Sequence, residues 1–156
     1  ARMVDGTEPW LAEHARRDLE LLAAQPDSAD GSVDLVAVLA EIAGQAPVSV
    51  RLDVPHPMPV PRAPAAAIGA AVREALTNVG RHAGVDTAEV VATRVDTVVV
   101  VEVADRGRGF SRDDVPPRRR GVAESIEQRM TRVGGHAVVT ARPGGGTVVR
   151  LEWPRG

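Results

Sequence analysis

Val72-Arg73-Glu74-Ala75-Leu76-Thr77-Asn78-Val79-Gly80-Arg81-His82 is the stretch on which the reading of this chain turns. Placed on a helical wheel, Ile68, Val72, Ala75, Leu76, Val79 and Ala83 fall within an arc of roughly 100°, the width of a core-facing stripe. Glu74, Asn78 and Arg81 share one flank of that stripe, and His82 lies nearer its apolar edge. The spacing predicts a helix over about 65–83 whose buried face carries a polar border. Asn is a mediocre helix former, so Asn78 in mid-helix beside a buried stripe asks for a role other than building the helix.

Downstream, two valine-rich segments, 88–94 and 98–104, flank Val95-Asp96-Thr97 and predict an antiparallel hairpin. The second runs directly into Asp105-Arg106-Gly107-Arg108-Gly109-Phe110. Residues 111–120 are polar, Pro-containing and Arg-rich, and predict a loop. A helix follows with Val122, Ile126, Met130 and Val133 on one face, ending at Gly134-Gly135. A last hairpin, 136–141 and 147–153, turns at Arg142-Pro143-Gly144-Gly145-Gly146.

Upstream, Pro9 can open a helix on which Leu11, Ala15, Leu19 and Leu22 recur at helical spacing, and residues 25–31 form a small polar linker. A second helix has Ser32 as N-cap and Val33, Val36, Leu39 and Ile42 on its buried side. Residues 48–54 alternate like a strand, and the proline-rich 55–64 cross the surface, since proline cannot donate to a ladder. The fold class expected is an α/β (α+β) two-layer sandwich, with a mixed or antiparallel sheet of about five strands covered on one face by three helices. Strict β-α-β alternation is absent, which disfavours a doubly wound parallel sheet. Residues 1–30 are expected to be a helical stub and linker, and 31–156 the functional domain.

With 156 residues the chain fits one domain with an ordinary core. Its 19 basic and 21 acidic residues nearly cancel, so no global charge draws it to nucleic acid or an anionic membrane. There is no cysteine, hence no disulfide frame, thiolate nucleophile or Cys-based zinc site. There is no lysine either: all 19 basic residues are Arg. That excludes a Walker-A phosphate loop, a protein-kinase-like Lys and a Lys Schiff base. No apolar run approaches a membrane span, and no signal-peptide pattern opens the chain; a cytoplasmic location is expected.

Several groups can carry chemistry. The Asn78 amide oxygen suits a hard cation such as Mg²⁺ without adding charge, and Glu74, one turn earlier, can orient or deprotonate a hydroxyl or water. A solvated helix edge where the two bond each other explains the pair as well. Asp105 at a strand end can accept a hydrogen bond from an exocyclic amine, and Gly107 and Gly109 permit close backbone approach; an ordinary Gly-rich turn is the competing explanation. A dinucleotide fingerprint fails, because Arg112 stands where its third glycine belongs. Arg118-Arg119-Arg120-Gly121 precedes a helix whose first amides can bind phosphate, although a solvated loop accounts better for the arginines themselves. His14, His56 and His136 show no metal-ligand spacing.

In combination these segments resemble the GHKL ATPases. Glu74-x-x-x-Asn78-x-x-Arg81-His82 is similar to the N box and Asp105-x-Gly107-x-Gly109 to the G1 box. Gly121-Val122 leading into Ser125-Ile126-x-x-Arg129-Met130 and Gly134-Gly135 is similar to the G2 region, and 144–147 to the terminal Gly-x-Gly-Thr element. The resemblance, over about 32–154, is strongest to the catalytic domain of bacterial sensor histidine kinases of the nitrate-sensor type. It implies a Bergerat sandwich that binds ATP with Mg²⁺ on Asn78, adenine on Asp105 with Thr147 nearby, and backbone room at Gly107 and Gly109. Arg81 and His82 would face the phosphates, Gly121 and Val122 would border the nucleotide, residues 111–120 would be the lid, and Glu74 would assist phosphoryl transfer.

The resemblance also implies partners: a dimerisation and phosphoacceptor region of a parent kinase, which can itself be membrane-anchored, and a downstream response regulator, with no nucleic acid involved and this chain itself not embedded in a membrane. His14 is followed by Ala15 instead of an acidic residue, so the acceptor His is expected outside this chain, and residues 1–30 read as the end of an upstream dimerisation region. Arg119 stands where the G2 box has its first glycine, and the lid is short. A GHKL serine kinase of the anti-sigma-factor type and a degenerate nucleotide-binding or interaction module are the alternatives.

Overall fold

A computed structural model of the chain describes residues 31–54, 57–82, 85–107, 117–142 and 145–154, with the backbone alone at 82, 117–120, 141 and 142. In chain order the elements are β1 (Ser32–Asp34), α1 (Leu35–Gln45), β2 (Ser49–Asp53), β3 (Pro59–Pro61), α2 (Arg62–His82), β4 (Thr87–Val95), β5 (Val98–Asp105), α3 (Pro117–Arg132), β6 (His136–Arg142) and β7 (Gly146–Trp153). Five strands form one sheet in the order β2-β4-β5-β7-β6, and β1 pairs with β3 in a separate two-stranded ribbon. The sheet is mixed: β2 runs parallel to β4, and the other pairs are antiparallel.

The valine runs become strands because alternate residues reach two different environments. On β5, Val99, Val101, Val103 and Asp105 are buried on the helical side, in register with Trp153, Leu151, Val149 and Thr147 of β7. The other side carries charge, including Arg51 opposite Glu89 and a cluster in which Arg150 meets both Glu102 and Glu152 at 2.9 Å. Hydrogen bonds to Glu152, and then to Glu102, raise the Arg150 guanidinium above its ordinary range. The β4–β5 turn needs only Asp96 and Thr97, since Val95 pairs with Val98; Asp96 takes φ 57°, a left-handed conformation that Asp tolerates.

On the helical side, α2 lies between α1 and α3. The stripe read from the sequence is the buried one: Ile68, Val72, Ala75, Leu76 and Val79 are all buried, while Ala83 lies outside the described residues. Ile126 and Met130 of α3 are fully buried against the same core, which also takes in Leu35, Leu39 and Ile42 of α1. The α3 C-terminus stops as expected, with Gly134 at φ 81° and the Met130 carbonyl accepting the Gly135 amide at 2.7 Å. Trp153 Nε1 donates to the Val133 carbonyl at 2.7 Å and so fastens the end of β7 to the end of α3.

Three boundaries differ from the sequence reading. Ser32 does not cap the second helix: Ser32–Asp34 is a strand, and Asp34 is the N-cap, its side chain accepting the Val36 amide. The 55–64 stretch is not wholly a surface crossing, because Pro59–Pro61 pairs with that strand and α2 already begins at Arg62, where Pro64 is tolerated in the first turn. The end of the expected 111–120 loop is helical, since Pro117 opens α3. Residues 1–30, including the expected helical stub, and 108–116 lie outside the described residues.

Candidate functional site

Four elements converge beneath one end of the sheet: the polar flank of α2, the N-terminal half of α3, and the strand ends where β5 leaves Asp105 and β7 starts at Gly146. Asn78, Ala75, Val122, Ala123, Ile126, Val139, Thr147 and Val149 line a cavity of about 20 Å³ there. That is room for about one water molecule. Its walls are apolar except for the Asn78 amide and the Thr147 hydroxyl, and Thr147 is 9% exposed.

Asp105 adjoins this cavity through the ladder, paired in register with Thr147. It is 7% exposed, and its Oδ1 accepts the Gly107 amide at 2.7 Å, so the carboxylate closes its own turn. Asp105 also borders a second cleft of about 230 Å³, shared with Arg51, Thr87, Ala88, Glu89, Ala104 and Arg106. Gly146 is what lets the β5 and β7 ends meet. It takes φ 90°, and a Cβ built on it would collide with the Asp105 carbonyl.

Glu74 does not bond Asn78. Its Oε1 instead accepts from Ser125 Oγ at 3.2 Å and from Arg129 at 3.3 Å, both on α3. The ion pair is partly open, with side chains 26% and 39% exposed for Glu74 and Arg129, and such a pair stabilises by no more than about 1 kcal/mol. Arg129 Nε is buried and has no partner among the described residues.

The structure thus brings Asn78, Val122 and Thr147 to one cavity, with Asp105 and the buried Gly107 beside it and Glu74 one turn along α2. Arg81 is exposed near the end of α2 and Gly121 is exposed on α3; neither lines the cavity. Gly109 and the His82 side chain lie outside what is described. The partners of Glu74 were not singled out as site residues from sequence. Their signal was the Ser125-x-x-x-Arg129 spacing, which puts a hydroxyl and a guanidinium on one face of a helix. The apolar walls, Ala75, Ile126, Val139 and Val149, read only as core.

Among the described residues no three His, Cys or acidic side chains cluster to cage a metal, and no helix is long and apolar enough to cross a membrane. One amide oxygen at a cavity edge fits a Mg²⁺ that arrives with phosphate oxygens and keeps its waters, since that ion commonly uses only one or two protein ligands.

The chain is similar to the sensor histidine kinase LiaS of Bacillus subtilis, 32% identical over 83 residues, which are 53% of this chain and 23% of that protein. It is similar to the oxygen sensor histidine kinase NreB of Staphylococcus carnosus, 35% identical over 53% of this chain and 24% of that protein. The chain therefore spans about a quarter of the length of these relatives. Among solved structures, the blue-light activated histidine kinase of Erythrobacter litoralis superposes with a TM-score of 0.69 at 26% identity, over 94% of this chain and 55% of that one. The histidine kinase AdeS of Acinetobacter baumannii shares the fold at 17% identity, with a TM-score of 0.62 over 91% of this chain and 75% of that one. Residues 64–156 match the family described as histidine kinase-, DNA gyrase B-, and HSP90-like ATPase, and they contain every element that meets at the cavity, so the chain belongs to that family of ATPases.

Proposed function

We propose that this chain is the ATP-binding catalytic domain of a two-component sensor histidine kinase, which passes the ATP γ-phosphoryl group to a His in another region of its parent protein. The observation that carries the reading is the meeting of Asn78 and Thr147 on one cavity with the Asp105 turn beside it. In this reading Asp105 accepts the adenine amine beside Thr147, and Gly107 and Gly109 leave room for the base. Asn78 offers its oxygen to Mg²⁺, which when bound neutralises phosphate charge. Arg81 and His82 face the phosphates, Gly121 and Val122 border the nucleotide, and Glu74 assists transfer. Because the cavity has room for only about one water molecule, α3 and the sheet must part for the base to enter.

The acceptor region and a response regulator are the partners of this reading, and residues 1–30 are the end of the segment that joins the domain to the first of them. A cytoplasmic setting follows from ATP as substrate. Calorimetric titration of the chain with ATP, with and without Mg²⁺, tests the assignment. Saturable binding that strengthens with Mg²⁺ is expected, and Asn78→Ala should keep ATP binding while losing the Mg²⁺ dependence. No heat of binding at millimolar ATP would overturn the reading.

A further inference from the structure

Glu74 is gripped by one oxygen only. Oε1 accepts from both Ser125 and Arg129, while Oε2 has no partner among the described residues. Ser125 and Arg129 are one turn apart on α3, so both donors reach α2 from the same face of a helix. As a structural tie this is poorly made. The guanidinium offers a single nitrogen at 3.3 Å instead of a two-pronged fork, and its buried Nε goes without a hydrogen bond among the described residues. Stability gives little reason for that placement. Orientation gives one, because two donors on Oε1 favour one setting of the carboxylate and leave Oε2 without a partner among the described residues.

We infer that Arg129 and Ser125 are positioning residues that hold Glu74 so that Oε2 can serve the transfer step, an inference resting on Glu74 assisting phosphoryl transfer as proposed above. In that step one imidazole nitrogen of the acceptor His forms the N–P bond. The bond from the γ-phosphorus to its bridging oxygen breaks, and the electron pair leaves with ADP. The proton on the other imidazole nitrogen, acidified as the N–P bond forms, passes to Oε2. A carboxylate rotated out of line would still leave the nucleotide contacts intact, so loss of the grip should slow transfer without weakening ATP binding.

The test uses the kinase polypeptide that carries this domain and its acceptor His, measuring transfer rate and ATP affinity separately, with circular dichroism and melting as checks on folding. Arg129→Ala should lower kcat about 10- to 100-fold, as a misaligned catalytic group does, with the ATP Kd within about threefold. Arg129→Lys should recover part of the rate, and Ser125→Ala should cost less than Arg129→Ala. Because the residues act through Glu74, the double variant Glu74→Gln with Arg129→Ala should be no slower than Glu74→Gln alone. Losses that multiply in the double variant would overturn the inference, as would a rate loss in Arg129→Ala that is wholly a loss of ATP affinity. Should Arg129→Ala not fold, Arg129→Gln carries the same comparison. If Glu74→Gln transfers normally, the reading of Glu74 falls and the inference with it. If Glu74→Gln is slow but Arg129→Ala transfers normally, only the inference falls.

Discussion

In the proposed reading, Asp105 combines a structural and a recognition task in one carboxylate. Oδ1 closes the turn through the Gly107 amide at 2.7 Å, and the carboxylate sits opposite Thr147, where β7 can approach only because Gly146 has no Cβ. Asparagine keeps an oxygen for the Gly107 amide but presents an NH₂ group where a ligand amine needs an acceptor. Asp105→Asn should therefore fold normally and weaken ATP binding by about 1–3 kcal/mol, the range for a hydrogen bond to a charged group. Titration calorimetry on the variant checks this, and unchanged affinity would remove Asp105 from adenine recognition. In the sequence this residue stood out as a candidate only in combination, because a carboxylate followed by two spaced glycines at a strand end also makes an ordinary Gly-rich turn. Glu74 was legible as a candidate but not its engagement, since the partner on α3 lies 51 residues away and no local pattern announces the pairing.

At the scale of elements, the strands and the central helix followed from local signals, because the valine richness of 98–104 and the stripe from Ile68 to Val79 are readable within each segment. The joint between β1, α1 and β3 did not. Ser32 and Asp34 are both good caps just before an apolar run, and the choice is made by the pairing of Ser32 with Pro61, a contact invisible to local reading. That joint is held by Asp34, whose Oδ1 accepts the Val36 amide at 3.0 Å and the Met58 amide at 2.9 Å. Removing it takes away a helix cap and strips the Met58 amide of that acceptor. Asp34→Ala should destabilise the fold by about 2–4 kcal/mol, while Asp34→Asn, which retains an acceptor oxygen, should cost less than half of that. Urea unfolding followed by circular dichroism measures both. Equal losses in the two variants would mean that the charge, and not the shared acceptor, secures the joint.

Across the whole molecule, helices cover one side of the sheet, and the space between α2, α3 and that side is where the proposed nucleotide enters. Ligand binding there draws α2, α3 and β7 into one unit, so it should register as global stability even though the contacts are local. A ligand at about 100 times its Kd adds about 2.7 kcal/mol, which for a domain of this size raises Tm by roughly 6–12 °C. The location is tested by filling the space. Ala123 lines the cavity and is half-buried, and about 20 Å³ is less than the bulk that a leucine adds there. Ala123→Leu should leave the ligand-free Tm within about 3 °C of the parent, because the added side chain can lean toward solvent from a partly open position. It should also abolish the ATP-induced rise, because once α3 and the sheet part the leucine takes up room that a base would need. A full rise in Ala123→Leu would place the nucleotide elsewhere, and the larger cleft beside Arg51 and Arg106 would then be the space to examine by the same substitution at Ala104.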